Sequence, residues 1–128
     1  MTFYYPELSR EIIGISFKAF NLAGRGLPER EYRRVMAVLF EDAGIQFREE
    51  IPVDLIVDGH KISRHIFDFV IEEKIVVELK VSPRFTLAHF DQVNAYLRSS
   101  GYKLGLLILF TRRGVRVKRL VNIQNRKK

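Results

Sequence analysis

The chain has 128 residues, of which 47% are apolar and 29% charged, with a net charge of +7 and no cysteine. A domain of this size buries roughly two-thirds of its unfolded surface, enough for a core without staples, and the missing thiols exclude disulfide frameworks and thiolate zinc sites. No run reaches the ~18 consecutive apolar residues of a membrane span, and no basic segment followed by an apolar one opens the chain, so the expectation is one cytoplasmic domain over 1–128 with no membrane partner.

The charge is one-sided. All fifteen acidic residues lie at or before Asp91, whereas ten of the 22 basic residues follow it, including Arg112, Arg113, Arg116, Lys118 and Arg119. A basic segment free of acids attracts polyanions by releasing condensed counterions, and nucleic acid is the commonest such partner. The alternative is a basic tail that only aids solubility; a short basic tail is expected from about residue 122.

In chain order, the first helix is expected from about Ser9, a candidate N-cap, to Leu22, with Ile13, Phe17 and Phe20 on its apolar face. Gly24-Arg25-Gly26 breaks it. A second helix opens at Pro28, whose missing N–H is harmless in the first turn. Tyr32, Val35, Met36, Leu39, Phe40 and Ala43 form its stripe, and Gly44 ends it. Phe47, Ile51, Val53, Leu55 and Val57 share one strand parity, and Asp58-Gly59 is a hairpin turn. The return strand covers about Lys61 to Ile71, and Glu72-Glu73-Lys74 leads into a strand from Ile75 to Val81. Ser82-Pro83-Arg84 stops that strand, and Thr86 caps a helix that lasts until Gly101. Two strands follow, Leu104–Phe110 and Val115–Val121, the first apolar on both parities and so expected to be buried on both faces. The order α-α-β-β-β-α-β-β, with early antiparallel strands and a helical crossover, implies an α/β fold, a mixed sheet flanked by helices.

The chemistry concentrates in Asp68 and Glu78-Leu79-Lys80. Glu78 and Lys80 point to one face of a strand, roughly 7 Å apart. If residues 72–74 form a three-residue loop, Ile71 pairs with Ile75 and Asp68 falls opposite Glu78, Cβ to Cβ about 5 Å. A loop one residue shorter would turn Asp68 to the other face. Two carboxylates that close repel unless a cation or proton lies between them, and a hard divalent cation such as magnesium takes one or two carboxylates plus water and phosphate oxygens. Lys80 can hold an attacking water or offset charge on a phosphorane-like transition state. A lone E-x-K triplet would read as solvated decoration, but the strand around it is apolar on both parities and charges there need a reason. His89, Gln92 and Tyr96 form a polar-tipped stripe on the following helix; Gln92 and Tyr96 are either boundary residues or shape the site. Glu29 either favours its helix dipole or aims a further carboxylate at a metal. His60 falls at a turn, His65 on a strand surface, and His89 alone of the histidines near the site.

Together these pieces resemble the PD-(D/E)xK nuclease superfamily, and within it the GxxExxY family. The motif Gly26-Leu-Pro-Glu29-Arg-Glu-Tyr32 matches the family's name, Asp68 with Glu78-Leu79-Lys80 its hairpin pair, and Gln92-Val-Asn-Ala-Tyr96 is similar to the Q-x-x-x-Y helix of RecB-like nucleases. Tyr102 to Phe110 resembles the family's following strand, and Phe67 stands where the superfamily's name places proline. The resemblance implies a restriction-endonuclease-like fold with Mg2+ or Mn2+ as cofactor. It implies Asp68, Glu78 and the main-chain carbonyl of Leu79 as metal ligands, and Lys80 as the catalytic lysine. Glu29 would be an auxiliary acid open to metal binding, and Gln92 and Tyr96 would shape the site. The function expected is metal-dependent hydrolysis of nucleic-acid phosphodiesters, with DNA favoured. The rivals are a catalytically silent nucleic-acid-binding module on the same fold and a protein-interaction subunit; a homo-oligomer stays open.

Overall fold

The computed structural model describes residues 4–122, so the basic tail beyond Asn122 lies outside the described residues. Its elements run α1 (Pro6–Ala23), α2 (Glu29–Asp42), β1 (Phe47–Val57), β2 (His60–Ile71), β3 (Ile75–Val81), α3 (Leu87–Ser100), β4 (Leu104–Thr111) and β5 (Gly114–Val121). The expected order holds throughout. The five strands lie side by side in chain order; β3 and β4 are parallel, joined by the α3 crossover, and every other pair is antiparallel.

The sheet divides the core in two. On one side α1 and α2 pack Ile12, Ala19, Tyr32, Met36 and Phe40 against Phe69, Ile71, Val77, Leu79, Leu106, Ile108 and Phe110. On the other, α3 sets Val93 and Leu97 against Val70, Val76 and Leu107. α3 can lie this close because Gly105 presents no side chain: a Cβ there would come 3.3 Å from Val76 Cγ2 and 3.6 Å from Leu97 Cδ2. β4 from Leu104 to Phe110 is buried on both faces, as its composition implied. Among the described residues, no helix is long and apolar enough to cross a membrane.

Several local signals act as read. Asp58 and Gly59, both at positive φ, make the β1–β2 turn. Glu72 and Glu73, also at positive φ, fold residues 72–74 into the loop that pairs Ile71 with Ile75. Thr86 Oγ1 accepts from the His89 N–H while His89 Nδ1 accepts from the Thr86 N–H, a reciprocal cap on α3.

Helix α1 differs from its expectation. It opens at Pro6, a turn before Ser9, so Ser9 is not its N-cap; the Ser9 hydroxyl donates instead to the Tyr5 carbonyl at 2.8 Å. Its inner face is Ile12, Ser16 and Ala19, whereas Phe17 is 46% exposed. Small residues let the helix axis approach its neighbours, and that closeness outweighs the larger side chains one position round. Pro28 stands at the N-cap rather than the first helical position, its carbonyl accepting from the Glu31 and Tyr32 amides.

Candidate active site

The site arises where β2 and β3 part company. Their ladder runs through Ile71–Ile75, Val70–Val76 and Phe69–Val77 and then stops. The next pair in that register is Asp68 and Glu78, and there side chains replace the rungs: Asp68 Oδ2 accepts from the Leu79 N–H at 2.7 Å, and the Asp68 N–H donates to Glu78 Oε1 at 3.3 Å. A strand that leaves its neighbour would orphan buried amides, a cost of about 1–3 kcal/mol each. The two carboxylates remove that cost, which places both acids beneath the surface, Asp68 at 8% and Glu78 at 4% exposure.

The parting coincides with a reversal of strand parity. Phe47 and Phe69 pack on the α1–α2 side, yet Ile51, Val53 and Phe67, of the same parity, pack on the α3 side. Between them lies Glu50, at φ 57°, standing opposite Asp68 and missing from the ladder. One left-handed residue turns the backbone over, and β2 follows its partner. Odd-numbered residues of β2 before Asp68 thus face α3, and this carries His65 into the site: its Nε2 lies 2.8 Å from Glu78 Oε2 and its ring 5.1 Å from that of Tyr96. His65 is therefore no surface residue. A uniform two-residue period sends it to the wrong face, and the reversal at Glu50 leaves no local signal, since pairing resumes at once through Ile51–Phe67 and Pro52–Ile66.

Besides His65, three charged residues frame the pair. Lys80 Nζ lies 3.8 Å from Glu78 Oε2, and Arg33 Nη1 lies 3.7 Å from Asp68 Oδ1. Burial first, then the Glu78 charge, pushes the Asp68 carboxyl up to about 7, against the pull of the Leu79 amide and Arg33. Glu29, at the exposed start of α2, is also raised, by partial desolvation first and by the Glu78 charge, while Lys80, Arg33 and His65 oppose the rise. Arg33 was missed by sequence reasoning, although its spacing of four from Glu29 puts both on one face of α2.

The rest of the segment from Gly26 to Tyr32 fixes the start of α2, where Glu29 stands. Gly26 takes φ 84° where α1 turns into α2. Tyr32 is buried, stacked on Phe110 at 4.1 Å, and its hydroxyl donates to the Gly24 carbonyl at 2.6 Å. Tyr32 thereby ties the first turn of α2 to the end of α1, with Glu29 three residues earlier at the helix start.

Other expected residues fall less centrally. The Tyr96 hydroxyl meets Ser63 Oγ at 2.6 Å, so its part is to hold β2 and the His65 ring. Gln92 is exposed and has no hydrogen bond among the described residues. His89 is taken up by the α3 cap; burial and then Lys80 hold its imidazole below its usual value. The basic residues separate. Arg119 donates to Ser9 Oγ at 2.7 Å and to the Tyr4 carbonyl at 3.0 Å, fastening α1 to β5, so its guanidinium is not free for a nucleic acid. Arg112 and Arg113 sit at the β4–β5 turn, near Gly26, while Arg116 and Lys118 project on the α3 side over Phe85.

A divalent cation suits this donor set. Every candidate ligand offers hard oxygen, and a close acidic pair with one carboxyl driven towards neutrality is a place where added positive charge restores the ionised form. No group of three or more His, Cys, Asp or Glu side chains converges among the described residues, so the protein would supply two carboxylates and leave the remaining positions to water and substrate.

The model of the PD-(D/E)XK nuclease superfamily matches residues 6–120, a span that takes in the split hairpin and all its framing groups. The chain belongs to the PD-(D/E)XK nuclease superfamily. Among solved structures it is similar to SSO0001 (TM-score 0.55, 18% identity, 94% of this chain and 59% of that one). It is also similar to an alkaline exonuclease from Laribacter hongkongensis (TM-score 0.53, 9% identity, 95% and 73%). At these identities the likeness concerns the fold, and the chain spans less than two-thirds of the length of the first. No curated protein matches it.

Proposed function

We propose that this superfamily member is an active phosphodiesterase that cleaves nucleic acid, DNA in the first instance, with Mg2+ or Mn2+, and that it falls in the GxxExxY group. The observation that carries the reading is the Asp68–Glu78 pair, buried at the strand divergence with Lys80 alongside. An acidic pair serving only the fold would be better as amides, which satisfy the same backbone groups without repulsion.

Asp68 and Glu78 would hold the cation, with the Leu79 carbonyl as a further oxygen donor and Glu29 as an auxiliary acid that meets the ion only through water or a shift of its side chain. A bound divalent cation supplies positive charge to the scissile phosphate and to the water that attacks it. Lys80, 24% exposed at its side chain, can reach a phosphate oxygen as charge gathers there. Arg33 and His65 hold the outer oxygens of Asp68 and Glu78 and so keep both carboxylates oriented. Gln92 is free to contact the phosphate or water from α3.

The test is cleavage of labelled DNA with Mg2+, with Mn2+ and with chelator, by the protein and by its Lys80→Ala and Asp68→Asn variants. Loss of at least three orders of magnitude in both variants and in chelator is expected, about 4 kcal/mol of transition-state stabilisation. Cleavage unchanged in both variants, or no cleavage by the parent protein with metal, overturns the reading; the second result leaves the silent binding module.

A further inference from the structure

The sheet register sets two cations in line with the reactive residues. Lys80 pairs with Leu109, which pairs with Arg116; Glu78 pairs with Leu107, which pairs with Lys118. Leu107 packs against α3, so all four charged residues share that side of the sheet. Arg116 and Lys118 stand two strands from the centre, roughly 10 Å away. That is one to two phosphate spacings of an extended strand.

Aromatic surface fills the gap. Phe85, in the loop between β3 and α3, packs on Phe90 with ring centroids 5.4 Å apart and keeps part of its ring open. Arg116 Cζ and Lys118 Nζ lie 5.9 and 6.0 Å from the Phe85 centroid, the outer limit of a cation–π contact, on exposed side chains that can swing away. A ring flanked by mobile cations is the arrangement that binds an unpaired strand: the base stacks and the cations take its phosphates. In a duplex the bases are paired inside and offer no face to such a ring.

We infer that the α3 side of β3–β5 is a track for single-stranded nucleic acid, in which Phe85 stacks a base and Arg116 and Lys118 hold phosphates one or two nucleotides from the bond at Glu78 and Lys80. The inference rests on the nuclease reading for its direction towards the centre, but the track binds whether or not cleavage follows.

Binding is measured by fluorescence anisotropy with a labelled dT15 strand and a blunt 15-base-pair duplex, both in chelator. The parent protein should prefer the single strand. Phe85→Leu, which keeps apolar bulk but removes the ring, should weaken strand binding about 5- to 100-fold and leave duplex binding unchanged. Arg116→Gln with Lys118→Gln should lower the salt slope by about 1.4, and thermal melting should show all variants folded. Equal or tighter binding of the duplex, or a Phe85→Leu variant that binds the strand as the parent does, overturns the track. Because no metal is present, failure of the nuclease reading shows only in the cleavage assay.

Discussion

The two ends of the β2–β3 hairpin differ in how they satisfy their backbones. At the closed end, Phe69 to Ile71 and Ile75 to Val77 pair rung by rung, and all six residues are at most 1% exposed. At the open end the ladder is missing, and the carboxylates of Asp68 and Glu78 accept the amides that the partner strand no longer meets. Polar side chains are therefore absent where the main chain serves itself and obligatory where it does not. The consequence is that removing an apolar group should weaken the closed end, whereas removing a charge should strengthen the open one.

The largest effect is expected at the closed end. Phe69 packs edge-on against both Phe40 and Phe47 at 5.2 and 5.7 Å, so Phe69→Ala should lose about 3–5 kcal/mol in denaturant unfolding. A loss under 1 kcal/mol would mean that the aromatic cluster is loosely packed. At the open end, Asp68 has a native pKa raised above its unfolded value, so the folded state binds the extra proton between pH 4 and about 7 and metal-free stability should fall as pH rises through that window. Asp68→Asn should remove the larger part of the slope, leaving the share of Glu29, and, above pH 7, gain on the order of 3 kcal/mol; a flat pH profile in the parent protein would contradict the raised carboxyl. Smallest of the three is Tyr96→Phe, which removes the bond to Ser63 and should cost about 1 kcal/mol. If that change also speeds amide hydrogen exchange in β2 around His65 but not around Val70, the two ends melt separately.

The same contrast governs what could be read in advance. The loop of residues 72–74, the limits of β3, the Thr86 cap and the opposition of Asp68 to Glu78 all follow from local turn chemistry and loop length, and the structure agrees. His65 could not be placed that way, because the parity reversal at Glu50 belongs to the pairing of two strands and leaves no period of its own in either. Phe17 misled for a related reason: periodicity reports which face is apolar, but the small residues Ser16 and Ala19 decide which face can come close. Arg119 looked like its neighbours Arg116 and Lys118 in composition. Strand alternation sends it to the α1 side, where Ser9 and the Tyr4 carbonyl hold it.

The bond from the Leu79 amide to Asp68 has a bearing on how such a scaffold ages. An asparagine at that position keeps an oxygen for the same amide and sheds the repulsion, so under the proposed function the step from acid to amide exchanges the reaction for a sturdier molecule. On that proposal, the substitution that ends catalysis is one the folded state itself favours.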